Sequence, residues 1–247
     1  NFSWGSPQNT YDFNALDMDE FLAESDYEDA LIVVAAGNNG VDNVPADGIP
    51  DRLTLSATAT SKNSLVVGAS ANANLGVNSP NSRAFFSSVG PAVNFNQINR
   101  VAPQVMAPGT EIGGGLLGIT SEFGCRSRDN DQLDPVECDL IEGLDGTSFA
   151  TPAVAGAAML VRDYFAQGFY PDRQQNEGTR RTSISGALVK AILIASAEWM
   201  YTPPGINLTD DFRFNNEQGY GRVQLDNVLP LENWSQSPTG LIVSDPL

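Results

Sequence analysis

The stretch "EGLDGTSFATPAVAGAAML", Glu142 to Leu160, sets one serine between small residues at the mouth of an alanine-rich apolar run. Gly146 permits a tight backbone turn just ahead of it. From Ser148 the pattern becomes helical through about Phe165. A helix starting there presents unpaired N–H groups and a partial positive charge beside the hydroxyl, so a negative oxygen forming next to Ser148 would be stabilised. Pro152 is read as falling within the first turn, where its missing N–H costs little. Ala150, Ala153, Ala155, Gly156, Ala157 and Ala158 let the helix lie close to its neighbours and hold the serine rigidly. Two readings of Ser148 stay open on these residues alone: a nucleophile, or a plain N-cap on a core helix.

Outward from this segment, short apolar runs alternate with helical patterns. "ALIVVAAG" (Ala30–Gly37) and "NSLVVGAS" (Asn63–Ser70) are continuous apolar stretches of the kind that form buried parallel strands. "AFFSSVG" (Ala84–Gly90) and "PQVMAPG" (Pro103–Gly109) are further strand candidates, each stopped by Gly or Pro. Residues 12–30 place Leu16, Met18, Phe21 and Leu22 at helical spacing among acids, and Ser185–Trp199 predicts a helix with Leu188, Ile192 and Ala195 on one stripe. "NNEQGYGRVQLDNVL" (Asn215–Leu229) reads as a turn, a short strand and a closing helical turn. The alternation implies an α/β fold with a mainly parallel sheet flanked by helices. Residues 1–231 read as one domain and 232–247 as a tail or linker. "NFSWGS" (Asn1–Ser6) reads as the end of a buried strand entering a loop, and a segment ahead of it is expected to have been removed.

"GTSFATPAVAG" (Gly146–Gly156) resembles the nucleophile motif of the subtilisin-like serine proteases. "NFSWG" resembles the strand of that family that receives the peptide substrate, and "VVAAGNNG" (Val33–Gly40) its oxyanion segment. "SSVGP" (Ser87–Pro91) with "PQVMAPGTEI", and the Gly-x-Gly-Arg-Val of residues 219–223, match in the same order. The closest flavour is the bacterial alkaline type with long insertions. The resemblance implies a three-layer fold and a peptidase. Ser148 would be the nucleophile, and Asn38 would donate its side-chain amide to the oxyanion together with the Ser148 N–H. Ser3, Trp4 and Gly5 would pair with an extended peptide by strand addition. Ala35, Ala36 and Gly37, with Thr147 beside them, would bound a pocket roomy enough for a large apolar side chain. Val89 and Gln104 stand where the family usually has a basic residue and an acid, which marks a divergent branch.

A serine hydroxyl needs a base, and this chain holds no histidine. In subtilisin-like enzymes the chain order is Asp, His, Ser, so both partners would precede Asn38. Three explanations stay open. The base and its orienting acid lie on an upstream segment outside this sequence; or the chain is a peptide-binding fragment or pseudoprotease that does not cut; or it is a sedolisin-type acid peptidase. Against the last, sedolisins carry Asp where this chain has Asn38.

The formal net charge of −17, from 13 basic and 30 acidic residues, repels nucleic acid and anionic membrane, so neither is expected as a partner. The expected partners are polypeptide substrates and the base-bearing segment. No apolar run is long enough to span a bilayer. Cys125 and Cys138 flank a polar loop and are expected to form a disulfide in an oxidising, extracellular setting. Asp42, Asp47 and Asp51, with Asn43, sit on a loop bent at Gly48 and supply oxygens of the type that hold Ca²⁺.

Overall fold

Three of the apolar runs assemble into one parallel sheet, β1 (Val33–Ala35), β2 (Leu65–Ser70) and β3 (Val105–Pro108), in that order. The computed structural model describes residues 1–43, 46, 49–72, 82–93, 99–110, 112–114, 125–126, 133–134, 141–200, 214–233 and 241–243, with backbone alone at 112–114, 125–126, 133–134 and 141–143. Val33 pairs with Leu65 and Ala35 with Val67; Val67 in turn pairs with Val105 and Ala69 with Ala107. Single bridges extend both edges: Phe2 lies parallel to Val34, and Arg222 parallel to Met106. Asn1–Ser6 is thus not the end of a buried strand: Phe2 makes one bridge at the sheet edge and is half-buried, and Trp4–Ser6 are exposed.

Alternation along these strands divides the core. Val33, Leu65, Val67, Val105 and Ala107 pack with α2 (Thr147–Ala166) and α3 (Gly186–Ser196). Val34, Ala36 and Val66 point the other way, into a smaller cluster with Leu55, Ala59 and Met18 of α1 (Phe13–Phe21). Helices thus cover both faces, giving three layers around a sheet whose central strand β2 is buried at every residue. Fully burying each Val or Leu contributes about 1.5–3 kcal/mol, so the apolar runs suffice to specify the sheet. Two small antiparallel pairs lie outside it: β4 (Ile112–Gly114) with β7 (Ile141–Leu144), and β5 (Cys125–Arg126) with β6 (Leu133–Asp134).

Several local expectations give way. Ala84–Gly90 forms no strand. Ser87 N–H closes a turn onto Ala84 O at 2.9 Å, and Ser87 Oγ accepts from Ala69 N–H at 3.0 Å, so a side chain replaces the ladder. On α3 the buried residues are Gly186, Val189, Ile192, Leu193 and Ser196, while Ala195 is exposed and Leu188 only half-buried. The rotation is set at Gly186, where a Cβ would stand 1.8 Å from Ala30 O; only glycine lets the helix start so close to that backbone. On α1 the buried residues are Ala15, Met18 and Asp19, with Phe21 left exposed. An acid faces inward because it is fully hydrogen-bonded there. Asn215–Leu229 shows the expected turn and closing 3₁₀ turn, with two isolated bridges at Arg222, to Met106 and to Glu198, in place of a strand. In the tail, Leu241 and Val243 pack against the larger core cluster, and Val243 N–H donates to Tyr170 Oη at 2.9 Å.

Candidate functional site

Parallel strands deliver their loops to one end of the sheet, and the crevice beyond the strands' carboxyl ends is where such folds bind ligands. Here β1 runs out through Ala36 into Gly37 and Asn38. Gly37 adopts φ 111°, and a Cβ on it would lie 2.8 Å from Ser88 Oγ, so the turn demands glycine. Gly37 O accepts from Ser88 N–H at 3.0 Å and Gly37 N–H donates to Thr147 Oγ1 at 3.2 Å. The sharp exit from β1 is thereby pinned to the first residue of α2.

Asn38 is held more tightly still. Its Oδ1 accepts from both the backbone N–H and the hydroxyl of Thr147, each at 2.9 Å. Two donors on one atom identify it as the carbonyl oxygen. Nδ2 is then the group left to face the cleft, beside the start of α2. Thr147 is fully buried, so these bonds are shielded from competing water.

Ser148 is the second residue of α2, one position further in than the sequence pattern implied. Pro152 therefore lies beyond the first turn rather than within it, at the position whose N–H would bond Ser148 O. That carbonyl instead accepts from Ser3 Oγ at 3.2 Å, while Ser148 Oγ donates to Ser3 O at 3.4 Å. The segment carrying Ser3 is fastened on its other side. Thr58 Oγ1 donates to Trp4 O at 2.9 Å, and Ala57 N–H donates to Ser6 O at 3.0 Å. Gly5 takes part in no hydrogen bond among the described residues, leaving its N–H and C=O available to a strand-like ligand. A Cβ there would strike Thr58 Oγ1 at 2.6 Å.

These residues enclose a cleft of about 240 Å³, lined by Ser3, Trp4, Gly5, Ala35, Gly37, Asn38, Thr147 and Ser148, joined by Pro7, Asn39 and Ser56. Ala36 is the exception among the expected wall residues: strand alternation turns it into the smaller core cluster, where it is fully buried. Ser56 was not legible in advance. It lies 18 positions beyond Asn38 in a bland "LTLSATATS" run, and only the fold returns it, its N–H donating to Ala36 O at 2.8 Å and its hydroxyl to Ala35 O at 3.2 Å. The cleft is accordingly more polar than the small residues of β1 alone implied. No lining residue is ionisable, so the described cleft offers the Ser148 hydroxyl no base.

A family model described as "Subtilase family" matches residues 1–221. The chain belongs to the subtilase family. Among curated proteins it is similar to the serine protease/ABC transporter B family protein tagA of Dictyostelium discoideum, 26% identical over 172 residues; the match covers 66% of this chain and 9% of that protein. The similar tagD protein of the same organism is 28% identical over 166 residues, 62% of this chain and 8% of its own length. The chain thus spans less than a tenth of the curated relatives it matches. Among solved structures, the PatG macrocyclase in complex with peptide superposes with a TM-score of 0.51 at 16% identity, covering 90% of this subtilase and 47% of that chain. The prenylagaramide maturation protease PagA gives 0.44 at 23%, covering 79% and 48%. At these identities the PatG likeness speaks to the fold alone.

The remaining expectations fall partly elsewhere. Asp47 and Cys138 lie outside the described residues, as does the Cys125 side chain. Asp51 Oδ2 accepts from Asn43 N–H at 3.3 Å, and among the described residues no three acidic, His or Cys side chains converge on one point.

Proposed function

We propose that this subtilase is a serine endopeptidase in which Ser148 adds to the scissile carbonyl and forms an acyl-enzyme. The Asn38 amide and the Ser148 N–H take up the charge on the oxyanion. The observation that carries the reading is the double anchoring of Asn38 Oδ1 by Thr147, which aims a preorganised donor into the cleft that also holds Ser148. An extended peptide would lie along Ser3–Gly5, using the unspent backbone of Gly5. The proton acceptor and its orienting acid come, in this reading, from a His- and Asp-bearing segment upstream of residue 1.

A second reading has its own support. With no histidine in 247 residues, and with Ser148 Oγ donating to a backbone carbonyl, the cleft suits a peptide binder that performs no chemistry. A fluorophosphonate probe separates the two. Covalent label on Ser148 in an assembly that includes the upstream segment is the expected result; an intact assembly that takes no label, yet binds peptide, favours the binder.

The surroundings belong to the same proposal. Cys125 and Cys138 form a disulfide in an extracellular protein, which predicts no thiol-reactive cysteine in unfolded, unreduced material. Ca²⁺ on the Asp42, Asp47 and Asp51 loop predicts a lower Tm after chelation; an unchanged Tm removes the ion from the account.

A further inference from the structure

We propose that the Ser3 side chain is a positioning residue for Ser148, replacing a helix N–H that Pro152 has removed. The inference rests on the protease reading above and adds to it a role for a hydroxyl, distinct from the backbone contacts of Ser3 with substrate.

An α-helix satisfies the carbonyl of residue i with the N–H of residue i+4. For Ser148 that residue is Pro152, which has no N–H, and its ring also crowds the carbonyl it faces. The Ser148 peptide is thus the weak point of the first turn, and it belongs to the residue whose N–H must point at the oxyanion. Ser3 Oγ lies 3.2 Å from Ser148 O. The same hydroxyl also lies 3.2 Å from Asn1 Oδ1. It has one proton for two acceptors. The Asn1 oxygen is exposed and can be served by water, whereas the Ser148 carbonyl is partly buried and has lost its intrahelical donor. Leaving the less hydrated acceptor unpaired costs more, so the proton goes to Ser148 O.

The bond ties two functional elements together. Ser3 lies on the segment that would receive substrate, and Ser148 on the helix that attacks it. In the opposite direction Ser148 Oγ donates to Ser3 O at 3.4 Å, so the two serines form a reciprocal pair. A peptide that pairs with the Ser3 carbonyl would displace the Ser148 hydroxyl from it and free that hydroxyl for a base. The Ser3 hydroxyl stays on Ser148 O throughout, keeping the first turn fixed while the nucleophile changes partner.

The test uses the assembly with the upstream segment and follows the rate of fluorophosphonate labelling at Ser148 against probe concentration. Ser3→Ala is expected to slow the saturating rate about tenfold without changing the half-saturating concentration. Ser3→Thr, which keeps a hydroxyl, is expected to restore most of it. In a Pro152→Ala background the helix supplies its own donor, and Ser3→Ala should then change the rate by less than about twofold. Wild-type labelling rates in Ser3→Ala, or an equal loss in both backgrounds, would overturn the proposal. A wild-type assembly that takes no label sinks the protease reading instead. Hydrogen exchange on the chain itself then decides the positioning role: amides 148–151 exchange faster in Ser3→Ala if it holds, and unchanged if it does not.

Discussion

The two ends of the β1-β2-β3 sheet use polar groups in opposite ways. At the carboxyl end, Gly37, Asn38 and the start of α2 are braced from behind, while donors and acceptors at the front stay open to the cleft. At the amino end, a network around Asp19 leaves almost nothing open. The carboxylate is 3% exposed yet accepts from Ser61 Oγ and Tyr11 Oη at 2.7 Å and from the N–H groups of Lys62 and Asn63 at 2.8 Å. Lys190 Nζ donates to the carbonyls of Lys62, Asn63 and Ser64 at 3.2, 3.3 and 2.6 Å, binding α3 to the turn that enters β2. One end spends its hydrogen bonds on holding α1, β2 and α3 together; the other keeps some in reserve for a ligand. Substitutions at the two ends should therefore separate activity from stability.

The largest effect on activity belongs to Ser148→Ala, which is expected to abolish probe labelling and turnover while leaving Tm within a degree or two. A large loss of stability would mean that Ser148 serves the helix more than the chemistry. Asn38→Leu comes next, with turnover down by about 10²–10³, the magnitude already known for the corresponding oxyanion donor of a relative. It should also lower Tm slightly, since the Thr147 N–H loses its acceptor; unchanged turnover would remove Asn38 from the mechanism.

At the opposite end the order reverses. Asp19→Ala is expected to destabilise by about 3 kcal/mol in denaturant unfolding, because four donors lose one charged acceptor, with turnover of the folded fraction unchanged. Burial pushes the Asp19 carboxyl pKa up, but the bonds from Asn63, Lys62, Tyr11 and Ser61 outweigh it and hold the pKa below the ordinary carboxylate value. That stability is present above pH about 4 and is lost as pH falls through the lowered pKa, so acid unfolding should soften in Asp19→Asn.

The smallest effect is alkaline. Burial, helped by nearby Arg100, brings the Lys190 pKa down to about 8, with Asp19 opposing. Below that pH both folded and unfolded chains carry the proton. Between about 8 and 10.5 the folded chain releases it first, so stability should rise with pH and the rise should vanish in Lys190→Met. Burial and the bond to Asp19 hold the Tyr11 hydroxyl pKa above its ordinary value, which reverses the trend above pH about 10. A flat profile from 8 to 10 would show that the amino-end network tolerates either state of the amine.

How far the sequence carried depended on the range of each signal. The strands at Val33–Ala35, Leu65–Ser70 and Val105–Pro108 were plain because a doubly buried strand has to be apolar throughout. The expected cleft residues converge, apart from Ala36, because a motif fixes which residue follows the turn even where periodicity is silent. Ser56 and the inward face of α1 were hidden, since each depends on what the rest of the chain brings alongside. Nothing in the run around Asp19 says that four donors await it. Pro152 stands four residues beyond Ser148 whichever residue opens the helix, so its missing N–H strips the Ser148 carbonyl of its partner in any register; what the sequence does not show is the Ser3 hydroxyl that takes its place.

Lys62 and Lys190 are the lysines of this sequence, and both stand at the Asp19 network, Lys62 with its side chain 50% exposed. A coupling reagent that seeks lysine amines would consequently seize the molecule by its floor. Tethered to a resin through Lys62, it would stand with its mouth turned outward, ready to meet long peptides from the surrounding liquid.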